Sequence, residues 1–235
     1  MTIQALIFDV DGTLAETEEV HRLAFNAAFA EVGLAWTWDR DVYRDLLSVT
    51  GGKERMRLFA NWRGLSAEAM ADAEIARVHA LKNVRYAEMV ARGECPLRPG
   101  VERLIRAARA RGLRLAICTT TTRVNIDALI GAALGAEGMG FFDVVVAGED
   151  VRRKKPAPDA YLLAIEALKL ASARCLVFED SRNGLDAALA AGLTTIVSPS
   201  YYTSHETFEG AAQVLPDLSQ FALPAVAPAS PAGPT

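Results

Sequence analysis

The chain has 235 residues, of which 51% are apolar and 23% charged, and its formal net charge is −4. A chain of this length and composition can bury the core of one or two globular domains. Its slight acidity gives no electrostatic reason to expect nucleic acid or a membrane surface as a partner.

The cysteines and the first residues predict the compartment. Cys95, Cys118 and Cys175 are far apart and form no C-x-x-C pair, which indicates buried thiols under reducing conditions. The opening stretch, MTIQALIFD, has no basic region, and its apolar run is too short for a signal peptide or a membrane span. We therefore expect a cytoplasmic protein with no membrane partner.

Five short apolar runs along the chain are typical of buried strands. They are ALIFD at 5–9, RLAICT at 114–119, FDVVVAG at 142–148, RCLVFED at 174–180 and TTIVS at 194–198. Beyond the second run, segments with helical periodicity separate them, for example DAYLLAIEALKL. Strands that alternate with helices and are apolar throughout predict the α/β class, with a Rossmann-like, doubly wound parallel sheet.

A long helical stretch separates the first two predicted strands. It carries no strand signal, is rich in helix formers and is too long for a crossover connection. We therefore predict an all-helical cap domain at 16–95, inserted into a core formed by 1–15 and 96–222. Residues 223–235 are rich in Pro and Ala, without charge or periodicity, and predict a flexible tail.

Polar side chains follow four of the predicted strands, at the edge where ligands bind in open α/β sheets. Each motif alone is more often a turn, a polar loop, a solvated basic turn or the acidic start of a helix. Their coincidence at one edge of one sheet predicts a phosphoryl-transfer site. The residues are Asp9 and Asp11, Thr119 and Thr120, Lys155, and Glu179 with Asp180.

These residue types suit phosphoryl chemistry. Asp9 and Asp11 can point to the same side of the strand end, because side chains alternate with a period of two. Clustered carboxylates would repel one another and a phosphate, so the site needs a divalent cation, and hard oxygen ligands favour Mg²⁺. Lys155 supplies a fixed positive charge, and the threonine loop offers hydroxyl and backbone N–H groups to phosphoryl oxygens.

Three other kinds of site are excluded. An EF-hand loop beginning at Asp9 would need glycine at its sixth position, but Gly12 is at the fourth. TGGKE lacks the leading glycine and the hydroxyl residue that a P-loop requires. G-x-S-x-G does not occur, and of the three histidines we expect His79 and His205 to lie at the surface. A nucleophilic serine triad is therefore not predicted.

Together the motifs resemble those of the haloacid-dehalogenase-like phosphatase superfamily. They are DVDGT at 9–13, the apolar run into Thr119, KKPAPDAY around Lys155, and VFEDSRNGLDAALAAG at 177–192. The inserted helices are similar to the cap of the branch that includes β-phosphoglucomutase and phosphoglycolate phosphatase. The resemblance covers nearly the whole chain apart from the predicted tail.

This resemblance implies a role for each motif residue. Asp9 would be the nucleophile that forms an aspartyl-phosphate, and Asp11 the general acid and base. Dehalogenases of the superfamily lack the second aspartate, so Asp11 favours phosphoryl transfer. Mg²⁺ would be held by Asp9, the backbone carbonyl of Asp11 and Asp180, with Glu179 as a further ligand or water anchor. The transferring phosphoryl group would be bound by Thr119, the Thr120 backbone and Lys155.

The chain also resembles the sugar-bisphosphate phosphatases encoded in Calvin-cycle operons, in DGTLAETEEVHRLAFN, TGGKERM and CTTTT. That resemblance implies hydrolysis of xylulose-1,5-bisphosphate, a Rubisco inhibitor, to xylulose-5-phosphate. Independently, Lys53, Arg55 and Arg57 form either a seat for a second phosphate or a solvated basic helix start. The other substrate-binding candidates are Glu16, His21, Thr50, Gly51, Gly52 and Lys82.

Three other functions share part of this pattern. A sugar phosphomutase would share all four motifs and stays open, as does a phosphatase for another small phosphorylated metabolite. A receiver-type signalling domain is disfavoured, because Lys155 precedes the last acidic pair and a helical insertion is present. The expected partner is a small phosphorylated sugar bound by a monomer.

Overall fold

The structure is a computed structural model that describes residues 2–49, 51–64 and 71–224. Within these residues the chain forms two compact units. The core unit contains the chain up to Glu16 and from Pro96 onward, and the cap unit is Thr17–Cys95. Each unit has its own packed interior.

A parallel sheet of six strands, counted over the described residues, forms the centre of the core unit. Its order is β3-β2-β1-β4-β5-β6, and every neighbouring pair is parallel. The chain builds the sheet outward from β1 in one direction and then in the other, so a topological switch point lies between β1 and β4. The strands are β1 (Ala5–Phe8), β2 (Arg114–Cys118), β3 (Val144–Val146), β4 (Cys175–Glu179), β5 (Thr194–Val197) and β6 (Gln213–Val214).

The register of the central strands brings the polar motifs to one edge. Phe8 of β1 is paired with Ile117 of β2 on one side and with Phe178 of β4 on the other. Every residue of β1 and of β4 is buried, as expected of strands whose two faces are covered. Because the three strands end level, Asp9 and Glu179 emerge side by side at their carboxyl ends.

Eight α-helices, again counted over the described residues, complete the two units. Those of the cap unit are α1 (Thr17–Glu31), α2 (Arg40–Leu46), α3 (Gly52–Trp62) and α4 (Asp72–Ala91). Those of the core unit are α5 (Val101–Ala110), α6 (Arg123–Leu134), α7 (Asp159–Leu168) and α8 (Arg182–Ala190). None of them combines the length and the apolar character that crossing a bilayer requires.

Small side chains let α7 and α8 approach the sheet closely. The alanines that they bury in the central core cluster are Ala160, Ala164, Ala187 and Ala188. These contacts bring Tyr161 of α7 and Gly184 of α8, both fully buried or nearly so, towards the end of β4. The sequence of the two helices thus fixes which groups surround Glu179.

An aromatic cluster forms the interior of the cap unit. Trp38 is fully buried, with its ring centroid 4.6 Å from that of Phe25 and 4.9 Å from that of Phe29. Asn26 holds the Trp38 backbone, because its side chain accepts from Trp38 N and donates to Trp38 O, both at 2.8 Å. Burial of one such aromatic side chain is worth about 1.5–3 kcal/mol, so this cluster contributes substantially to the stability of the unit.

The predicted α/β class, with a doubly wound parallel sheet and an inserted all-helical unit, is confirmed. The three cysteines are free and buried, as expected. Two details differ from the prediction. The exposed two-residue strand β6 has no apolar run to signal it. His79 is half-buried rather than at the surface, because its ring packs against Phe25 and over Gly52.

Candidate active site

Lys155 connects three of the strand ends, those of β1, β2 and β4. Its Nζ donates to Asp9 Oδ1 at 2.7 Å, to Glu179 Oε1 at 2.5 Å and to the Cys118 carbonyl oxygen at 2.9 Å. Its side chain is only 6% exposed. Although burial alone would lower the pKa of Lys155, Asp9 and Glu179 raise it above its ordinary value. The ammonium group is therefore a permanent charge in the site.

Three buried carboxylates surround this single ammonium. Asp9, Glu179 and Asp180 offer oxygens that lie within 4.8 Å of one another. Burial, opposed by the attraction of Lys155, raises the pKa of Asp9 to about 8, and burial together with Asp9 and Glu179 raises the pKa of Asp180 well above its usual range. Without a further positive charge, burial therefore favours the protonated forms of Asp9 and Asp180.

The same cluster fits a divalent cation. Three ionised carboxylates and one ammonium leave two negative charges, which one divalent ion would balance. The donors are hard oxygens in a small buried space, which suits Mg²⁺ better than a soft metal. The burial and charge of the residues are therefore consistent with a resident Mg²⁺.

Asp11 lies on the tight turn that follows β1. Gly12 N donates to the Ala15 carbonyl oxygen at 2.8 Å, and Gly12 has a φ of +84°. A Cβ at Gly12 would lie 2.1 Å from Asp180 Oδ2, so glycine is required both by the backbone conformation and by the adjacent carboxylate. Asp11 is half-buried and directly precedes Gly12 in this turn. The backbone of the turn packs against the Asp180 carboxylate.

The threonine loop follows β2. Thr119 is 1% exposed, its N–H donates to the Val146 carbonyl oxygen at 3.0 Å, and its Oγ1 accepts from Thr121 N at 3.2 Å. Thr120 is exposed. Gly148 donates to the Thr121 carbonyl oxygen at 2.7 Å, and a Cβ there would lie 2.2 Å from the Thr120 carbonyl oxygen. These hydrogen bonds fix the loop to β3 and to the residues that follow it. The loop presents polar groups at the carboxyl end of β2.

Two of the predicted substrate-binding residues, both in the cap unit, contact each other. Lys82 Nζ lies 2.9 Å from His21 Nδ1 and 5.2 Å from the centroid of the Phe25 ring. Burial, followed by the charge of Lys82, lowers the pKa of His21 well below its usual value. The His21 ring, stacked on Tyr86 at 4.0 Å, is therefore a neutral acceptor for the buried ammonium.

The basic segment of α3 does not converge on one point. Arg55 Nη1 donates to Tyr43 Oη at 3.0 Å and pairs with Glu18 at 3.3 Å, whereas Arg57 pairs with Asp72 at 2.7 Å. Lys53 is exposed and has no ion-paired partner among the residues that the structure describes. Of the three basic residues, Lys53 is consequently the one whose charge is available to a ligand.

The remaining candidates have separate environments. Gly51, with a φ of +103°, precedes α3, and a Cβ at Gly52 would lie 2.8 Å from the His79 ring. Glu16 belongs to the core unit and pairs with Arg98 Nε at 3.2 Å. Thr50 lies outside the described residues.

Four residues around the cluster escaped the sequence analysis. Tyr161 Oη donates to Glu179 Oε1 at 2.5 Å, and it is the last residue of the motif KKPAPDAY, which predicts a role for Lys155 alone. The buried Arg98 of the returning linker donates to the carbonyl oxygens of Gly12, Ser198 and Pro199. Ser200 and Thr203 contact Asp180 from the segment after β5, where no local pattern marks a function.

Comparison with known proteins gives a consistent result. A family model described as haloacid dehalogenase-like hydrolase matches residues 3–192. A protein named CbbY from Rhodobacter capsulatus is 53% identical over 226 residues, which cover 96% of this chain and 98% of that protein. A CbbY of Cupriavidus necator is 51% identical over 226 residues, covering 94% of this chain and 88% of that relative.

Solved structures agree with the sequence relatives. The crystal structure of CbbY from Rhodobacter sphaeroides with xylulose-1,5-bisphosphate superposes with a TM-score of 0.80 at 46% identity, covering 93% of this chain and 96% of that one. A β-phosphoglucomutase from Clostridium difficile gives a TM-score of 0.68 at 19% identity over 94% and 93% of the two chains, which shows a shared fold alone. The resemblance drawn from the motifs is confirmed, and the chain belongs to the haloacid dehalogenase-like hydrolases.

Proposed function

We propose that this chain is a Mg²⁺-dependent phosphatase that hydrolyses xylulose-1,5-bisphosphate to xylulose-5-phosphate and phosphate. The observation that carries the proposal is the buried cluster in which Lys155 bridges Asp9 and Glu179 beside Asp180. The substrate is suggested by the relatives named CbbY, one of which was crystallised with that bisphosphate.

Asp9 would act as the nucleophile in the first step. One of its carboxylate oxygens forms a bond to phosphorus while the bond from phosphorus to the sugar oxygen breaks. Lys155, held 2.7 Å from Asp9 Oδ1, keeps the nucleophile in place and offsets the charge of the phosphoryl oxygens. Thr119 and the Thr120 backbone would bind the same oxygens from the end of β2.

Asp11 would move the protons of both steps. In the first step its carboxyl group gives a proton to the departing sugar oxygen. In the second step its carboxylate takes a proton from the water that attacks the aspartyl-phosphate, which releases phosphate and restores Asp9. Proton transfer in opposite directions returns Asp11 to its starting state, so one turnover consumes only water and substrate.

Asp9, Asp180 and the backbone carbonyl of Asp11 would hold Mg²⁺, with Glu179 as a ligand or as the anchor of a metal-bound water. The ion supplies neutralising charge to the cluster and to the phosphoryl oxygens. The site in turn favours a hard cation, because the buried side chains that would bind it offer only carboxylate oxygens.

The cap unit would select the substrate. Lys53, whose charge is unpaired among the described residues, is the candidate for binding the second phosphate together with the glycine segment before α3. Arg55, whose guanidinium pairs with Glu18, is a further candidate for substrate binding. His21, Lys82 and Glu16 are the candidates for sugar hydroxyls. With this substrate, the enzyme would keep Rubisco free of an inhibitor in the cytoplasm, where the buried thiols stay reduced.

Phosphate release across a panel of substrates tests the proposal. The panel contains xylulose-1,5-bisphosphate, xylulose-5-phosphate, glucose-1-phosphate, phosphoglycolate and an aryl phosphate, each with Mg²⁺ and with a chelator. We expect the highest kcat/KM for xylulose-1,5-bisphosphate and no release with the chelator.

The Asp9→Asn variant is the control, since an amide is not a competent nucleophile, and it should show no turnover of any substrate. A phosphomutase would instead convert glucose-1-phosphate to glucose-6-phosphate without net phosphate release. Full activity of Asp9→Asn, or a preference for a monophosphate, would overturn the mechanism or the substrate respectively.

A further inference from the structure

The segment after β5, Ser198–Thr203, folds back against the end of β4. Thr203 Oγ1 lies 2.7 Å from the Asp180 carbonyl oxygen and 3.2 Å from Asp180 Oδ2. Ser200 N donates to Thr203 Oγ1 at 2.9 Å, and the two hydroxyl oxygens are also 2.9 Å apart. The Ser200 side chain is hydrogen-bonded to Asp180 as well. Two hydroxyl groups from one segment therefore contact one carboxylic residue.

Counting protons assigns these contacts. A hydroxyl group has one proton, and Thr203 Oγ1 already accepts from Ser200 N. The nearest acceptor of Thr203 Oγ1 is the Asp180 carbonyl oxygen, at 2.7 Å, so the Thr203 hydroxyl donates its hydrogen bond to that oxygen. The Ser200 hydroxyl is then the donor to the Asp180 side chain. Thr203 fixes the backbone of Asp180, and Ser200 fixes its carboxylate.

The carboxylate of Asp180 lies between this segment and the turn after β1. A Cβ at Gly12 would lie 2.1 Å from Asp180 Oδ2 and 3.1 Å from Ser200 Cβ. Asp180 and Ser200 are each only 4% exposed. The Asp180 carboxylate thus lies in a narrow slot between Gly12 and Ser200.

Arg98 ties the segment to the same turn. Its guanidinium donates to the Gly12 carbonyl oxygen, to the Ser198 carbonyl oxygen at 2.7 Å and to the Pro199 carbonyl oxygen at 2.8 Å. One buried cation therefore holds both walls of the slot in which Asp180 lies. The segment Ser198–Thr203 is a fixed part of the site.

We propose that Thr203 and Ser200 are positioning residues that hold Asp180 in the orientation needed to bind a divalent cation. The proposal rests on the proposed function for the assignment of Asp180 as a metal ligand. Partners behind metal-binding residues typically contribute about 10–100-fold to metal affinity. We therefore expect these hydroxyl groups to act on Mg²⁺ affinity.

The test is the dissociation constant of Mg²⁺, measured by calorimetry on the full chain without substrate. Thr203→Val replaces the hydroxyl by a methyl group of similar volume, and we expect the Mg²⁺ dissociation constant to rise about 10-fold. Thr203→Ser keeps the hydroxyl and should restore the affinity of the wild type. Ser200→Ala should weaken Mg²⁺ binding in the same direction and serves as the readout if Thr203→Val does not fold.

Thr195→Val is the matched control. Thr195 is on β5 and 1% exposed, and its Oγ1 has no hydrogen-bond partner among the described residues, so its loss should leave Mg²⁺ binding unchanged. Wild-type affinity in both Thr203→Val and Ser200→Ala would overturn the proposal, as would equal losses in Thr203→Ser and Thr203→Val.

The outcome is separable from that of the proposed function. Weaker Mg²⁺ binding by Thr203→Val, in a protein that hydrolyses none of the panel substrates, would support the positioning role and overturn the phosphatase assignment. Hydrolysis of the bisphosphate with unchanged Mg²⁺ affinity in Thr203→Val and Ser200→Ala would do the reverse. A wild-type chain that binds no Mg²⁺ would overturn both.

Discussion

Glu179 is the residue at which the acidic cluster meets its hydrogen-bond donors. Its Oε1 accepts from Lys155 and from Tyr161, both at 2.5 Å, and its Oε2 accepts from Asp180 N at 3.2 Å. A buried carboxylate with three donors has a single orientation, and through Oε1 that orientation also fixes the ammonium group that contacts Asp9. The hydroxyl of Tyr161 therefore acts on the nucleophile through two intermediate side chains.

Tyr161→Phe removes this hydroxyl without changing the shape of the ring. We expect kcat for the bisphosphate to fall about 10-fold with little change in KM, because Tyr161 acts on Asp9 through Glu179 and Lys155 rather than on the substrate. The free energy of unfolding should fall by about 1–3 kcal/mol, since a buried carboxylate oxygen loses a donor. Steady-state kinetics and urea unfolding measure both effects.

Tyr201→Phe is the matched control for that substitution. Tyr201 is 47% exposed, and its substitution should change neither kcat nor the free energy of unfolding by a measurable amount. A Tyr161→Phe enzyme with the kcat of the wild type would show that Lys155 and Asp180 alone orient Glu179.

Residues on strand ends could be predicted from the sequence, whereas their supports could not. Asp9 and Glu179 directly follow apolar runs, and parallel pairing then makes them neighbours. Thr203 and Arg98 reach the site from a loop and from a linker, with contacts that depend on side-chain reach across the tertiary structure. No periodicity in the sequence records such contacts.

The start of α8 sets the position of Glu179 at the scale of an element. Ser181 caps this helix, its side chain accepting from Gly184 N at 3.2 Å. A Cβ at Gly184 would lie 2.0 Å from Glu179 Oε2 and 2.2 Å from Glu179 Oε1. The absence of a side chain at Gly184 therefore lets the first turn of the helix approach the carboxylate.

Gly184→Ala should disrupt this approach. Alanine favours a helix over glycine by about 1 kcal/mol, but the added methyl group overlaps a buried carboxylate, and such overpacking costs about 1–3 kcal/mol. We expect a net loss of stability and a fall of at least about 10-fold in kcat, since Glu179 must move. Thermal unfolding and steady-state kinetics measure the two effects.

Gly131→Ala in α6 separates propensity from overlap. A Cβ at Gly131 would have no neighbour within 4 Å among the described residues, so this variant should gain up to about 1 kcal/mol and keep its activity. A Gly184→Ala variant that behaved like Gly131→Ala would contradict the close approach of α8 to Glu179.

Elements differ in how far their sequence determines them. Strands β1, β2 and β4 are continuous apolar runs that can only be buried, and they were predicted within one or two residues. Strand β6 is two exposed residues that pair because β5 offers them an edge, a cause that lies outside their own sequence. His79 was predicted at the surface for the same reason, since it is the packing of α1 and α3 against α4 that partly buries it.

At the scale of the whole molecule, the interior of the core unit contains more carboxyl groups than positively charged partners for them. Asp9, Glu179 and Asp180 are all at least 93% buried, and Lys155 is the one ammonium that pairs with them among the described residues. The cost is visible in the raised pKa values of Asp9 and Asp180, for which burial is the first cause. Metal binding and folding are therefore linked in this protein.

The stability of the metal-free protein should consequently depend on pH with a definite sign. The pKa of Asp9 is about 8 in the folded protein and 3.8 in the unfolded chain, so the folded state retains a proton that the unfolded state has lost. The stabilisation is complete below about pH 4 and is lost as the pH rises towards 8, by about 1.4 kcal/mol per pH unit for one proton. Asp180, whose pKa is also raised, contributes in the same direction.

Melting temperatures measured between about pH 4 and pH 8, the window set by the unfolded and folded pKa values of Asp9, check this linkage. With a chelator, the contribution of the cluster should lower the melting temperature as the pH rises. Saturating Mg²⁺ should raise it more at pH 8 than at pH 5, because the ion competes with protons for the carboxylates. Asp9→Asn, which lacks the titrating group, should flatten the slope measured with chelator. Identical profiles with Mg²⁺ and with chelator would show that the cluster holds no divalent cation.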